Sequence, residues 1–298
     1  MEDSRKTNEV LKSIKNKHHR QKVFAGLQVE KSKERHRARA ARAKEERENP
    51  ALKEERLAAN VPATLESKRV YDETIAAEIE GEDEFAELFR RTQRDPKVLI
   101  TTSYKPRKCA YEFADLLTEF VPNVTLVKRK KEYSMREIAQ FCTNREYTDL
   151  VVINEDKNKI NGLTFIHLPE GPTFYFLVMS LVMPERIRGA GEATLHIPEL
   201  ILNNFNTRLG KTVGRLFQAI FPSQPEIQGR QVLTLHNQRD YIFFRRHRYV
   251  FRENKRVGLQ ELGPQFTLKL RRLQRGIKEE IEWEYKPNME RDKRKFYL

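Results

Sequence analysis

The chain has 298 residues, with 57 lysines and arginines against 43 aspartates and glutamates, giving a formal net charge of +14 and a sequence pI near 9.7. A field of that sign attracts nucleic acid or anionic lipid. No apolar stretch is long enough to cross a bilayer and the first residues lack the apolar region of a secretory signal, so a nuclear or cytosolic polyanion binder is expected and a membrane partner is not. Charged residues make up 34% of the sequence, so part of the chain lies outside any packed core.

Met1 to about Asn60 contains Phe24 as its only aromatic residue and is dominated by blocks such as KNKHHRQK and ERHRARAARAKEERE. Alanine, arginine and glutamate favour helix, so Glu30 to Ala59 is predicted to form a solvated helix. Two readings stand for this basic N-terminal extension, a soluble tail carrying an import signal and an RNA-contacting arm. Residues 61–94 change sign. Asp72, Glu73, Glu78, Glu80, Glu82, Asp83, Glu84 and Glu87 surround Ile75, Ile79, Phe85, Leu88 and Phe89, the pattern of an acidic amphipathic connector that docks either on the basic domain or on a protein partner.

Periodic structure begins at Lys97. VLITTS reads as a short buried strand, and PRKCAYEFADLLTEFV as a helix with Ala110, Phe113, Ala114, Leu117 and Val121 on one face. NVTLVKRK, a helix at SMREIAQFC and a strand at DLVVIN follow, with Ser134 and Glu137 spaced as a capping box. GLTFIHLP and GPTFYFLVMSLV add two strands, and the continuous apolar run of the second predicts burial on both faces. Pro198 to Phe221 is predicted to be helical, with Leu209, Val213, Leu216, Phe217 and Ile220 as its apolar stripe. Strands are then expected at Val232 to His236, Tyr241 to Phe251 and Gln265 to Leu273, the first two joined by a turn around Gln238 to Asp240. Gly171 and Gly263 both open GP-x-F runs, and VLITTS parallels VLTLHN at Val232, a faint internal echo that chance explains as well as duplication.

Most motifs that suggest chemistry fail on inspection. LGKT at Leu209 to Thr212 mimics the end of a phosphate-binding loop, but the required leading glycine is Phe205. The histidines lack metal-ligand spacing and no nucleophile elbow is present. Cys109 and Cys142 have no second cysteine or histidine nearby, so both are expected to be free, buried thiols with no structural zinc. No cofactor or small-molecule substrate is expected.

What remains is basic and aromatic interleaving, in DYIFFRRHRYVFR from Asp240 and GPQFTLKLRRLQRG from Gly263. Arginine forks bind phosphate oxygens and stack on bases, while the rings of such strands belong mainly to the core. RNA contact is therefore assigned to Arg245, Arg246 and Arg248, to Lys269, Arg271 and Arg272 on the last strand, and to Lys211 on the helix. Loop cations Lys105, Arg107 and Lys108, together with Lys128, Arg129 and Lys130, complete the expected set. The tail IEWEYKPNMERDKRKFYL, with Trp283, is expected to be exposed and to wrap around the domain or a partner.

The ordered set VLITTS, GPTFYFLVMSLV, PELILNNFNTRLGKTVGRLFQAIFP, GRQVLTLHNQRDYIFFRRHRYVF and GLQELGPQFTLKLRRLQRG resembles a Brix domain over about Asp95 to Gly276. PATLESKRVYDET at Pro62 and the basic extension are similar to the ribosome production factor 1 branch of that family. The resemblance implies an α/β fold of two related halves, akin to anticodon-binding domains. It also implies a non-catalytic factor of the nucleolus that binds pre-ribosomal RNA and assists large-subunit assembly beside other assembly factors and ribosomal proteins. The last motif corresponds to a segment compared with a bacterial sigma-factor motif. A small-subunit Brix factor and a mainly protein-bridging scaffold remain alternatives. The implied organisation is an extension at 1–60, a connector at 61–94, the Brix domain at 95–276 and a tail at 277–298.

Overall fold

The computed structural model describes residues 14–60, 64, 66–68, 95–222, 224–252, 256–291 and 295–298. The acidic connector expected at 61–94 lies almost wholly outside them. Two compact units are present, Met1–Ser67 and Lys68–Leu298.

The first unit is helical. α1 (Lys17–Glu48) starts where the Asn16 side chain accepts hydrogen bonds from the backbone of His18 and His19. It thus begins well before the predicted Glu30, because this cap and the run of lysine, glutamine and arginine outweigh the cost of Gly26. The helix breaks at Asn49, since Pro50 has no N–H to donate to the preceding turn and instead opens α2 (Pro50–Ala59). Arg56 clamps the corner by donating from Nε and Nη2 to the two carboxylate oxygens of Glu46. Neither helix buries a residue.

Among the described residues, the second unit is one mixed sheet with three α-helices. Its first part runs β1 (Val98–Thr102), α3 (Lys108–Thr118), β2 (Val124–Val127), α4 (Met135–Thr143), β3 (Asp149–Asp156), β4 (Lys159–His167) and β5 (Thr173–Val182). β1 is parallel to both β2 and β3, and β3, β4 and β5 are antiparallel neighbours. The second part runs β6 (Glu199–Asn203), α5 (Arg208–Ile220), β7 (Gln231–Gln238), β8 (Tyr241–Phe251), β9 (Val257–Glu261) and β10 (Gln265–Gln274). β6 is parallel to β7, which is followed by antiparallel β8 and β10.

The spatial order is β2-β1-β3-β4-β5-β10-β8-β7-β6. Counting outward from the β5–β10 join, β4 matches β8, β3 matches β7 and β1 matches β6, with β2 the extra strand of the first half. The GP-x-F echo therefore links equivalent strands, β5 and β10. The VLITTS and VLTLHN echo links β1 with β7, which are not equivalent. Gly171 and Gly263 both have positive φ and precede cis prolines. A side chain at Gly171 would meet the Gly276 backbone at 2.6 Å, so the repeated glycine is a steric requirement.

The core on one sheet face is shared between the halves. Phe113 of α3 packs edge-on against Phe266 of β10, and Phe217 of α5 meets Phe165 of β4 and Phe176 of β5. Phe266 also stacks on Phe244 at 4.1 Å. α4 lies on the opposite face, over Leu99, Leu150, Val152 and Ile166. Its predicted capping box is present: Glu137 N–H donates to Ser134 Oγ and Ser134 N–H to the Glu137 carboxylate.

Several expectations change. Glu199–Asn203 is strand, because ELILN pairs with β7 before Asn204 turns the chain at positive φ and Thr207 caps the shorter helix. β5 alternates, with Phe174, Phe176 and Val178 buried but Tyr175, Leu177 and Met179 half-buried, so only one face is fully covered. The β7–β8 turn has Arg239 and Asp240 both at positive φ, the two-residue geometry suited to strand twist. Cys109 is half-buried, whereas Cys142 is buried.

Replacing Phe266 with Ala removes the packing against both Phe113 and Phe244 and should cost about 3–5 kcal/mol of stability, read as a lower denaturant midpoint at unchanged slope.

Candidate nucleic-acid interface

β1 and β2 are parallel neighbours, so the loops that leave their C-terminal ends emerge on the same edge of the sheet. The β1–α3 loop carries Lys105 and Arg107 and α3 opens with Lys108, while the β2–α4 loop carries Lys128, Arg129, Lys130 and Lys131. Lys128 Nζ lies 5.7 Å from the Tyr111 ring of α3, which ties the second loop to the first helix. Lys105, Arg107, Lys108, Lys128 and Lys130 are exposed, and Arg129 is half-buried. Lys108 makes an i,i+4 ion pair with Glu112 at 2.9 Å, yet its side chain keeps 90% of its exposure. The Glu112 bond raises the lysine's pKa, so the amine stays charged. Lys157, in the β3–β4 turn, and Lys159, at the start of β4, are also exposed near this edge. They were missed because isolated lysines carry no pattern. Glu155, near the end of β3, accepts a hydrogen bond from Arg107 N–H.

The arginine-rich strands behave differently. Arg246 points into the core and is 1% exposed. Its Nε and Nη2 donate to Gln231 Oε1 at 3.1 and 2.7 Å, its Nη1 lies 3.4 Å from Glu119, and its guanidinium sits 5.3 Å from the Phe120 ring. Burial pulls its pKa down and Glu119 opposes that, but arginine starts so high that it remains charged. The assignment of Arg246 to a phosphate is therefore corrected: period-two alternation places it with Ile242 and Phe244 on the inner face.

Lys269 is corrected likewise. It is 4% exposed, with Nζ 4.6 Å from the Tyr241 ring, 4.1 Å from the Tyr285 ring and 3.4 Å from Glu290. The reason is the tail, which returns as β11 (Ile281–Glu284) antiparallel to β10. Glu284 accepts from Arg272 Nε at 3.0 Å, and Tyr285 places its ring 4.9 Å from the Arg271 guanidinium. Beyond the tail turn, Asp240 Oδ1 accepts from the backbone of Tyr297 and Leu298, and Thr207 Oγ1 donates to the Tyr297 carbonyl. Most described residues of the tail from Lys278 to Arg291 are exposed, while Leu298 is 2% exposed, so of the two expected courses the tail takes the one around the domain.

Arg245 is half-buried, with Nη1 donating to the Phe244 carbonyl and Nε 3.7 Å from Glu261. Arg248 is half-buried on the same strand, and Lys211 is exposed in the first turn of α5. An open groove of about 420 Å³ beside Leu116 and Leu262 carries Glu119, Glu185 and Glu192, a polarity that repels phosphate. The enclosed cavity of about 50 Å³ in the shared core is lined by apolar side chains and offers a ligand no hydrogen bond. Among the described residues no three His, Cys, Asp or Glu side chains gather as a metal site, and no helix is long and apolar enough to cross a membrane.

The Brix domain profile matches residues 103–272, more than half of the chain. This chain belongs to the Brix domain family. Within the family it falls in the ribosome production factor 1 branch. It is 63% identical over 288 residues to the ribosome production factor 1 of Saccharomyces cerevisiae, covering 96% of this chain and 98% of that one. A Brix domain-containing protein of Schizosaccharomyces pombe is 48% identical, with 96% and 99% covered. Ribosome production factor 1 of Pongo abelii is 44% identical, with 97% and 85% covered. The Brix match begins at Ser103 and ends at Arg272, so it contains both basic loops and the inner-facing Arg246 but stops before β11.

Arg246→Ala should lower stability by about 1–3 kcal/mol, since it leaves Gln231 buried without its donor; RNA affinity of the folded variant, measured by filter binding, should equal that of the parent.

Proposed function

We propose that this chain, a ribosome biogenesis factor by its relatives, is a non-catalytic protein that binds precursor ribosomal RNA in the nucleolus and assists assembly of the large (60S) ribosomal subunit precursor. The observation that carries the RNA part is the gathering of Lys105, Arg107, Lys108, Lys128, Arg129 and Lys130 on one edge by two loops that parallel pairing forces together. Cations held on short loops over a rigid sheet meet phosphate oxygens with little entropy to lose. The binding partners in this reading are folded precursor RNA and the neighbouring assembly factors and ribosomal proteins. The ribosome-biogenesis part rests on the ribosome production factor 1 relatives, and the large-subunit part on what the branch resemblance implies. Phosphate contacts dominate such affinity and make it steeply salt-dependent.

A second contact, to protein, is favoured by the outer part of the β8–β9 hairpin. Phe251 and Leu259 are 71% and 63% exposed, and Val257 is paired with Phe251 across the ladder. Arg252 and Arg256 close the same hairpin, so an apolar protein segment with acidic flanks fits it. Phe251→Ser with Leu259→Ser should leave RNA affinity intact and reduce co-purification of neighbouring assembly proteins.

The RNA reading is tested by Lys105→Glu, Lys108→Glu, Lys128→Glu and Lys130→Glu together. The log-log salt slope of RNA binding should flatten by about 0.7–0.9 for each phosphate that the protein ceases to neutralise, with the thermal midpoint unchanged. In-cell crosslinking should recover large-subunit precursor RNA from the parent chain; recovery of small-subunit precursor instead would move the chain to the other pathway.

A further inference from the structure

α4 buries Ala139 and Cys142 and sets Met135 and Ile138 against the sheet. Two aromatic rings stand off that inward stripe. Tyr133, just before the helix, is 37% exposed and Phe141 is 40% exposed. Their centroids are 5.2 Å apart with the planes at 89°, so each ring supports the other and each keeps more than a third of its surface in solvent. An apolar ring left in water forgoes roughly 25 cal/mol for each Å² that a partner would cover.

The surroundings of these rings are cationic. The segment KRKKEYSMRE, Lys128 to Glu137, has five cations against Glu132 and Glu137. Arg129 reaches back to the Tyr133 carbonyl at 3.5 Å, and Arg145 donates to the Phe141 carbonyl at 3.1 Å, so a guanidinium lies at each end of the pair. Arg136 is 67% exposed, with the Glu279 carboxylate 3.8 Å from it. Lys278 comes from the loop after β10 and lies close enough to Arg129 for the like charge to help lower its pKa, after the larger effect of burial. Glu137 stands four residues from each ring, but its carboxylate is occupied by the Ser134 N–H at 2.6 Å.

We infer that Tyr133 and Phe141, flanked by Arg129 and Arg145, form a stacking site for unpaired RNA bases. Bases in a duplex already stack on their neighbours and present no free face, whereas a splayed base offers one and brings its phosphate to the adjacent cations. The inference rests on the RNA-binding reading above and adds to it the class of RNA, a single-stranded loop or bulge, and the residues that take the base.

The test uses the full chain with a 2-aminopurine-labelled, mixed-sequence single strand of about 20 nucleotides, and a duplex of the same sequence, at one salt concentration. Tyr133→Ala and Phe141→Ala should each weaken single-strand binding by about five- to a hundred-fold and reduce 2-aminopurine quenching. Duplex affinity should stay within about twofold of the parent. Tyr133→Phe keeps the ring and should bind as the parent does, which separates stacking from loss of the hydroxyl. Thermal midpoints equal to the parent's show that the exposed substitutions leave the fold intact. If both alanine variants bind the single strand as the parent does while Lys130→Glu with Lys131→Glu weakens it, the stacking site is wrong and the RNA-binding reading stands. If the parent binds neither RNA, both fail. Loss of a protein partner with unchanged single-strand affinity would overturn the inference in favour of a protein contact.

Discussion

The antiparallel pairing of β5 with β10 is the contact on which the rest of the domain depends. It joins two open sheets of similar design into one, and it runs along the strands for most of their length, from Gln265 opposite Val182 to Gln274 opposite Thr173. With that seam in place, the helices of the two halves share a core, so Phe113 reaches β10 and Phe217 reaches β4 and β5. Neither half could bury its helix stripe as fully alone. The paired Gly-Pro corners at Gly171 and Gly263 lie at the start of the two seam strands, where close approach of another backbone or side chain leaves no room for a Cβ.

The same seam decides where positive charge is free to act. β10 continues past its pairing with β8, so its last residues accept β11 on the edge opposite β5, and β11 with the turn after it brings Glu284, Tyr285 and Glu290 onto the cations of β10. A partly buried cation without a counter-charge is costly, whereas one held by a carboxylate and two rings is satisfied. The buried cations Arg246 and Lys269 therefore serve the fold. The loops at the C-terminal ends of β1 and β2 have only a few acids beside them, Glu112 and Glu155 among them. Their lysines keep their solvent exposure, which is why the proposed RNA contact is assigned to them.

Legibility followed the range of the interactions. The capping box at Ser134 and Glu137, the β7–β8 turn and the limits of β8 are set by residues two to four positions apart, and each could be read from the chain. β6, β9 and β11 could not. ELILN, VGLQE and IEWE are short, and each is a strand only because a distant partner offers a ladder. The loop cations were legible as a run of charge, but their meeting on one edge follows from the parallel register of β1 and β2. Tyr133 before α4 and Phe141 within it carry no distinguishing pattern in the sequence, and only the inward stripe of α4 shows that they stand off the core.

By itself the sequence determined the alternation of strands and helices, the positive charge, the family resemblance and most of the basic residues of the candidate interface. Those properties are local or compositional and survive without knowledge of the fold. Tertiary structure alone decided which cations are neutralised and which are free. Arg246 meets Glu119 across 127 positions, and Lys269 meets Glu290 across 21. A charge's fate depends on the carboxylates and rings that the folded chain brings within a few ångströms of it, and no pattern of neighbours along the sequence encodes that distance.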